Sequence, residues 1–405
     1  MNQQFARARS PFETRQTQTY RANDKISITL IAKLTVITPA PDFSSNLSCD
    51  LSNDLSQLRA AIDALDVEIL EKINQRAAFA RQVGALKVGQ AYRPEREAEV
   101  LLRIKALNAG PLPDEVVARL FREIMSACLA LERPITVAYL GPAGTFSELA
   151  AKKHFGEGAL LMPQSSIDEV YREVESNACD FGVVPVENST EGAVGRSLDL
   201  MPQTPLNICG EVLIRIHHHL MASDTLPLAN IQKVFSHGQS LAQCHEWLNS
   251  NLPNAERIAV ASNAEAARRA GLEPFTAAVA GEMAASVYTL TLLASNIEDE
   301  PNNTTRFLVL GNYEPKATGR DKTSLVLSAP NRSGAVYSML TPFAERGVSM
   351  SKFESRPSKV AIWEYLFFVD IEGHAADSNV AEALIELRTI AGYVKVLGSY
   401  PTAVI

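Results

Sequence analysis

The stretch Asn303-Thr304-Thr305-Arg306-Phe307-Leu308-Val309-Leu310-Gly311 sets two hydroxyls and a guanidinium at the head of an apolar strand. An acidic, turn-forming segment, Glu298-Asp299-Glu300-Pro301, precedes it. In α/β proteins a strand end beside a loop is where ligand-binding groups usually stand. A hydroxyl next to an arginine can protonate a leaving group while the cation holds a carboxylate. A Ser/Thr-rich turn feeding a strand is the plainer alternative, and these residues alone leave it open.

Working outward, strand-like runs at Thr136–Leu140, Phe181–Val186, Asn207–Ile214, Lys233–Ser236, Ala278–Ala280 and Arg306–Gly311 alternate with helical patterns. This predicts a two-lobed α/β domain over residues 135–312. Upstream, Leu58, Ile62, Leu65, Ile69 and Ile73 recur every three or four residues, and helix formers run on to about Lys87. A helix of that length, about 50 Å at 1.5 Å per residue, exceeds what a small core needs and predicts a paired or intertwined bundle. A second helix is expected over Pro94–Asn108. A third, capped by Asp114, has Val117, Leu120, Phe121, Ile124, Cys128 and Leu131 as its stripe. The all-α bundle is thus expected over residues 51–133. Downstream of a polar linker, Tyr313–Asp321, residues 322–401 read β-α-β-β-α-β, the α+β ferredoxin-like order.

Composition narrows the function classes. Residues 1–50 are rich in Arg, Thr, Ser and Gln without a sustained period, and they read as a disordered extension. A net charge of -8 argues against a nucleic-acid partner, and no apolar run reaches the ~18 residues of a membrane span. Five scattered cysteines without a CxxC pair fit reduced thiols in a cytoplasmic protein and give no zinc pattern. His217-His218-His219 invites a metal reading, but on a strand only His217 and His219 share a face and no acid or cysteine stands at ligand spacing. No metal or cofactor is expected.

Cations and carboxylates in the helical region are the first candidates. Arg76 and Lys87, eleven residues apart, share a helix face within about 20°. Arg59 lies about 100° off that face and serves the same pocket only from a partner chain. Cations turned inward would suit a small dicarboxylate, whereas a solvated helix face remains the plainer alternative. In the α/β region, Gly141-Pro142-Ala143-Gly144-Thr145-Phe146-Ser147 lacks the GK[ST] of a nucleotide loop and the GxGxxG of a dinucleotide fold. With Val184-Pro185-Val186-Glu187-Asn188-Ser189, Phe235-Ser236-His237-Gly238-Gln239 and the opening stretch, it makes four polar strand ends, enough to suggest a convergent cleft.

The order of these motifs carries a resemblance. The run LRAAIDALDVEILEKINQR, then ARQVGALK, RPERE and LFREIMSACLALE resembles the all-helical chorismate mutases. The resemblance implies that Arg59, Arg76 and Lys87 bind carboxylate and ether oxygens, and that Arg96 and Glu97 form the family's Arg-Glu pair, with Glu97 holding the substrate hydroxyl. Cys128 and Glu132 stand where serine and glutamine occur in other members. Chorismate rearranges through a compact chair with charge building on the ether oxygen, so positioning and donors suffice. Lys87 donates directly. Glu132 donates only while protonated, which predicts mutase activity that falls as pH rises and a flatter profile for Glu132→Gln.

GPAGTFSELAA, VPVENSTEGAV, SHGQSLAQC and TRF, in that order, resemble prephenate dehydratase, a fold similar to periplasmic-binding proteins. The resemblance implies that Thr305 assists loss of the ring hydroxyl while Asn188, Ser236, Gln243 and Arg306 bind prephenate. His237 is an alternative acid or a turn histidine bonded to backbone. The C-terminal part resembles an ACT regulatory module, and Gly334-Ala335-Val336 with Glu354-Ser355-Arg356-Pro357 match its phenylalanine-responsive motifs. Together these imply a homodimer or higher oligomer that converts chorismate to phenylpyruvate under L-phenylalanine control. The rival reading is a non-enzymatic two-lobed sensor.

Overall fold

The computed structural model describes residues 51–86, 92–329, 332–358 and 365–404. Two compact units divide the chain, Met1–Asp63, whose described part is helical, and Ala64–Ile405. The extension expected at residues 1–50, and Cys49 within it, lie outside the described residues.

Three helices open the fold: α1 (Leu51–Leu86), α2 (Pro94–Leu107) and α3 (Asp114–Ala130). The apolar repeat of α1 keeps Leu58, Ile62, Leu65 and Ile69 exposed. Pro94 occupies the first turn of α2, where its missing N–H costs nothing. The N-cap of α3 is Pro113 rather than the expected Asp114, whose carboxylate instead accepts from Asn108 Nδ2 at 2.7 Å. An acid in the first turn still complements the positive helix end.

Lobe one of the α/β region is a mixed sheet of β1 (Thr136–Leu140), β2 (Leu160–Gln164), β3 (Phe181–Asn188), β4 (Gly192–Ala193), β5 (Asn207–Arg215) and the returning strand Thr304–Gly311. Helices α4 (Phe146–Phe155), α5 (Ile167–Glu175) and α6 (Gly195–Leu200) join its strands. After β5 the chain crosses to lobe two, where β6 (His219–Ala222), β7 (Lys233–His237), β8 (Glu256–Val260), β9 (Thr276–Ala280) and β10 (Thr291–Ala294) form the second sheet. Helices α7 (Gly238–Gln243), α8 (His245–Asn251), α9 (Asn263–Ala270) and α10 (Glu282–Tyr288) accompany it. The chain then returns as β11 (Thr304–Gly311), antiparallel between β3 and β5 in the order β2-β1-β3-β11-β5. Two crossings leave a cleft between the lobes, and Thr305 pairs with Asn188 at its edge.

The C-terminal sheet has the order β13-β14-β12-β15, from β12 (Asp321–Ser328), β13 (Met350–Pro357), β14 (Tyr365–Glu372) and β15 (Tyr393–Pro401). Helices α11 (Ala335–Glu345) and α12 (Ser378–Ile390) cover its other face, and Leu325, Met339, Phe343, Val369 and Leu387 fill the core between. The open face packs on lobe one, with Tyr400, Phe368 and Leu397 sharing a core with Val184, Ile208 and Leu308. Gly398 permits the closest approach: a Cβ there would stand 2.3 Å from the Ile208 carbonyl oxygen.

Candidate active sites

A cavity of about 790 Å³ opens between the later part of α1, α2 and α3. Arg76, Arg96, Glu97, Cys128 and Glu132 all line it, so side chains spread over 57 positions meet at one place. Arg93, Arg103 and the linker residue Lys316 join them. Glu97 is held from behind: Arg122 Nε donates to its Oε1 at 2.8 Å and Arg122 Nη1 donates to the Lys153 carbonyl at 2.9 Å. Burial raises the Glu97 pKa against the lowering pull of Arg122. Tyr92 hydrogen-bonds Glu97 and meets His154 Nε2 at 3.0 Å. Glu132 lies just past the end of α3, its N–H donating to the Leu129 carbonyl, and its side chain packs against Gly84. Glu132 thus occupies the helix end and lines the pocket at once. Lys87 lies outside the described residues, and Arg59 belongs to the first unit, on α1.

The inter-lobe cleft encloses about 500 Å³ and is lined by Gly141, Thr145, Asn188, His218, His237, Ser240, Gln243, Asn263, Asn303 and Thr305, among others. Thr305 and Asn188 are almost buried, and Asn188 Nδ2 donates to Thr305 Oγ1 at 2.8 Å and to Asn303 Oδ1 at 2.7 Å. The amide cannot turn round, because Asn188 Oδ1 accepts from Thr190 N, Thr190 Oγ1 and Glu191 N. The Thr305 oxygen therefore accepts, and its own proton is left to donate. Gln243 Oε1 meets His218 Nε2 at 2.9 Å, and Gln243 Nε2 reaches Thr190 Oγ1 and Glu191 Oε1 at 3.5 Å. His237 caps α7, its Nδ1 accepting from Gln239 N at 3.4 Å, which is the turn role, while its ring also lines the cleft.

Two expected prephenate contacts are corrected. Arg306 turns away from the cleft: its Nε donates to Glu211 at 2.9 Å, Nη1 to Asp370 and Nη2 to the Tyr400 hydroxyl at 2.9 Å. Alternation explains it, since Asn188 and Thr305 are paired across β3 and β11 and point one way, so Glu187 and Arg306 point the other. Glu187 accordingly accepts from Lys352 of the C-terminal sheet at 2.9 Å. Ser236 is fully buried beneath the cleft floor, donating to the Val279 carbonyl at 2.7 Å and meeting Asn263 Oδ1 at 3.0 Å. It anchors Asn263, which does line the cleft. The Gly144 N–H donates to Glu148 Oε2 at 2.7 Å at the start of α4.

Comparison with known proteins places three family models along the chain. Chorismate mutase type II matches residues 58–133, prephenate dehydratase residues 137–315 and the ACT domain residues 323–389. A bifunctional chorismate mutase/prephenate dehydratase of Neisseria gonorrhoeae is 59% identical over 86% of this chain and 97% of its own. The namesake of Pseudomonas aeruginosa is 51% identical over 87% and 99%. The chain belongs to the bifunctional chorismate mutase/prephenate dehydratase family. Among solved structures, the prephenate dehydratase of Arthrobacter aurescens in complex with L-Phe has a TM-score of 0.61 at 36% identity, covering 66% of this chain and 90% of its own. That of Staphylococcus aureus has a TM-score of 0.59 at 29% identity, over 66% and 100%.

The expected fold classes of this bifunctional family, helical mutase, two-lobed dehydratase and ACT module, are those observed. In its ACT domain, Gly334 adopts φ +75° and caps α11, leading into Ala335 and Val336. Glu354, Ser355, Arg356 and Pro357 lie on the edge strand β13. Arg356 reaches across to lobe one, 3.3 Å from Asp199, beside a cavity of about 500 Å³ that Arg356 and Pro357 line.

Among the described residues no His, Cys, Asp and Glu group could hold a metal. The three adjacent histidines have three different partners: His217 Nδ1 meets Glu298 at 2.7 Å, His218 meets Gln243, and His219 Nδ1 accepts from Asn296 N. Sequence reasoning weighed His218 only as a metal question and so missed its place in the cleft. Asn303 stood in the opening stretch without a role, and Lys316 sat in a linker, where no periodicity could single it out. Among the described residues no helix is long and apolar enough to cross a membrane.

Proposed function

We propose that the helical cavity binds chorismate and releases prephenate, and that the inter-lobe cleft decarboxylates and dehydrates prephenate to phenylpyruvate. The hydrogen-bonded Asn188–Thr305 pair carries this reading, because it leaves a buried hydroxyl proton aimed at a cleft sized for a small ring compound. A mere sensor has no need of such a donor. Arg76 and Arg96 supply cations for the chorismate carboxylates, Glu97 takes its hydroxyl, and Glu132 faces the same space; Lys87 and, from a partner chain, Arg59 are the further cations that the family resemblance implies. The rearrangement forms a carbon–carbon bond and breaks an ether bond without covalent catalysis, so orientation and a hydrogen bond to the ether oxygen provide the acceleration. In the second step carbon dioxide departs, electrons move into the ring, and hydroxide leaves with help from the Thr305 proton.

L-Phenylalanine is the effector this reading assigns to Gly334, Ala335, Val336 and the Glu354–Pro357 segment, supported by the L-Phe complex of the Arthrobacter aurescens relative. The exposed Leu58, Ile62, Leu65 and Ile69 of α1 support a homodimer in which a second copy covers that face. A cytoplasmic location fits the substrates. Following chorismate, prephenate and phenylpyruvate separately with the purified chain tests both steps. Formation of prephenate and then phenylpyruvate is expected, and turnover of neither would leave the sensor reading.

A further inference from the structure

We propose that His218 is a positioning residue for the dehydratase step: it orients the Gln243 carboxamide so that Gln243 offers donors, and not its oxygen, to an anionic substrate. The role rests on the reading of the cleft as the prephenate site.

The geometry starts at the backbone. His218 N–H donates to Glu298 Oε2 at 2.9 Å and its carbonyl accepts from Ile297 N at 2.9 Å. The ring stands edge-on to Phe146, with centroids 5.8 Å apart, and the residue is 1% exposed. Its Nε2 lies 2.9 Å from Gln243 Oε1, whereas its Nδ1 is buried with no hydrogen-bond partner among the described residues. A proton on Nδ1 would be an orphaned buried N–H, one of the costliest defects in a protein interior. The proton therefore sits on Nε2 and points at Gln243. Burial also lowers the His218 pKa, so the ring stays neutral and keeps one donor and one lone pair.

A neutral Nε2–H accepts nothing, so the Gln243 amide must turn its oxygen to His218 and its NH2 outward. That NH2 meets Thr190 Oγ1 and Glu191 Oε1 at 3.5 Å, long contacts that a substrate carboxylate can replace. Without His218 the amide is free to rotate and present its oxygen to the same carboxylate, which repels it.

The test compares wild type with His218→Gln, His218→Asn, Gln243→Ala and the double variant His218→Asn/Gln243→Ala. The mutase activity of the same chain monitors folding. Glutamine places an N–H where Nε2 stood, and asparagine is too short to reach Gln243. His218→Asn is expected to raise KM for prephenate about tenfold with a smaller change in kcat. His218→Gln is expected to restore most of that loss. On the Gln243→Ala background His218→Asn is expected to cost under about twofold more, because the group it acts through is gone. Losses that multiply in the double variant, or a His218→Gln enzyme no better than His218→Asn, overturn the role. A wild-type chain that makes no phenylpyruvate overturns the dehydratase reading itself.

Discussion

Thr305 shows how one amide decides what a hydroxyl can do. Three donors fix the oxygen end of Asn188, so its nitrogen end must donate to Thr305, and the threonine proton is not drawn into that pair. Thr305→Ala should lower dehydratase turnover by about 10²- to 10⁴-fold, the span of general acid catalysis, with mutase turnover unchanged in the same preparation. Thr305→Ser should keep much of the activity. Asn188→Asp should be nearly as damaging, because a carboxylate oxygen facing Thr305 would capture the proton that the substrate needs. An Asn188→Asp enzyme with wild-type kcat would count against this orientation. Asn188 and Thr305 were both legible as polar strand ends. That they form a pair, and that Arg306 does not join them, followed only from the register of β11 on β3.

At the scale of elements, β11 serves two partners at once. Thr305 faces the cleft, and the next residue, Arg306, clamps the strand to Asp370 and Tyr400 of the ACT sheet and to Glu211 of β5. Glu211 is shared with Lys322 at 2.8 Å, and Ser324 completes the network by donating to Asp370 and bonding Tyr400. Burial opposes the charge on Arg306, but Tyr400, Asp370 and Glu211 raise its pKa, so it stays a cation. Arg306→Ala strands nearly buried acids and should cost about 3 to 5 kcal/mol, read as a fall in unfolding free energy in denaturant. Arg306→Lys should recover part of it and lose the fork of contacts. Sequence periodicity found the central strands of lobe one but passed over β4, β6 and β10, which have only two to four residues each, and also β2 and β8. Those two strands each pair along a single edge, and their mixed exposure erases the period that buried strands show.

Across the whole molecule, the mutase helices are joined to the dehydratase lobe by polar contacts, one of which runs through a partly buried histidine. Tyr313 donates to Glu95 at 2.6 Å, Arg122 spans Glu97 and Lys153, and Tyr92 spans Glu97 and His154. Burial, with Arg122 nearby, lowers the His154 pKa from 6.5 to about 3. The folded state thus binds this proton less readily than the unfolded state. Its stability contribution is complete above about pH 6.5 and is lost as pH falls toward 3, a loss on the order of a few kcal/mol. Denaturation midpoints measured from pH 7 to pH 4 should fall in wild type and fall less in His154→Gln. Equal slopes would remove His154 as the source. Regulation also belongs to this scale: if L-phenylalanine weakens prephenate binding by some factor, prephenate must weaken L-phenylalanine binding by the same factor. Two equilibrium titrations, each with and without the other ligand, check that equality.

Short-range chemistry was enough to determine the order of fold classes and to single out the polar strand ends and helix positions that line the two cavities. Helical period, strand alternation and turn residues are local, and sequence spacing reports them directly. Tertiary structure alone decided which side each strand residue presents, that Arg306 and Ser236 bond away from the cleft, that His218 meets Gln243, and that a linker lysine lines the helical cavity. Those assignments depend on register and on contacts between residues tens to hundreds of positions apart. A one-residue slip of β11 would exchange Thr305 for Arg306 at the cleft, and nothing in the local pattern of Thr304-Thr305-Arg306 forbids it.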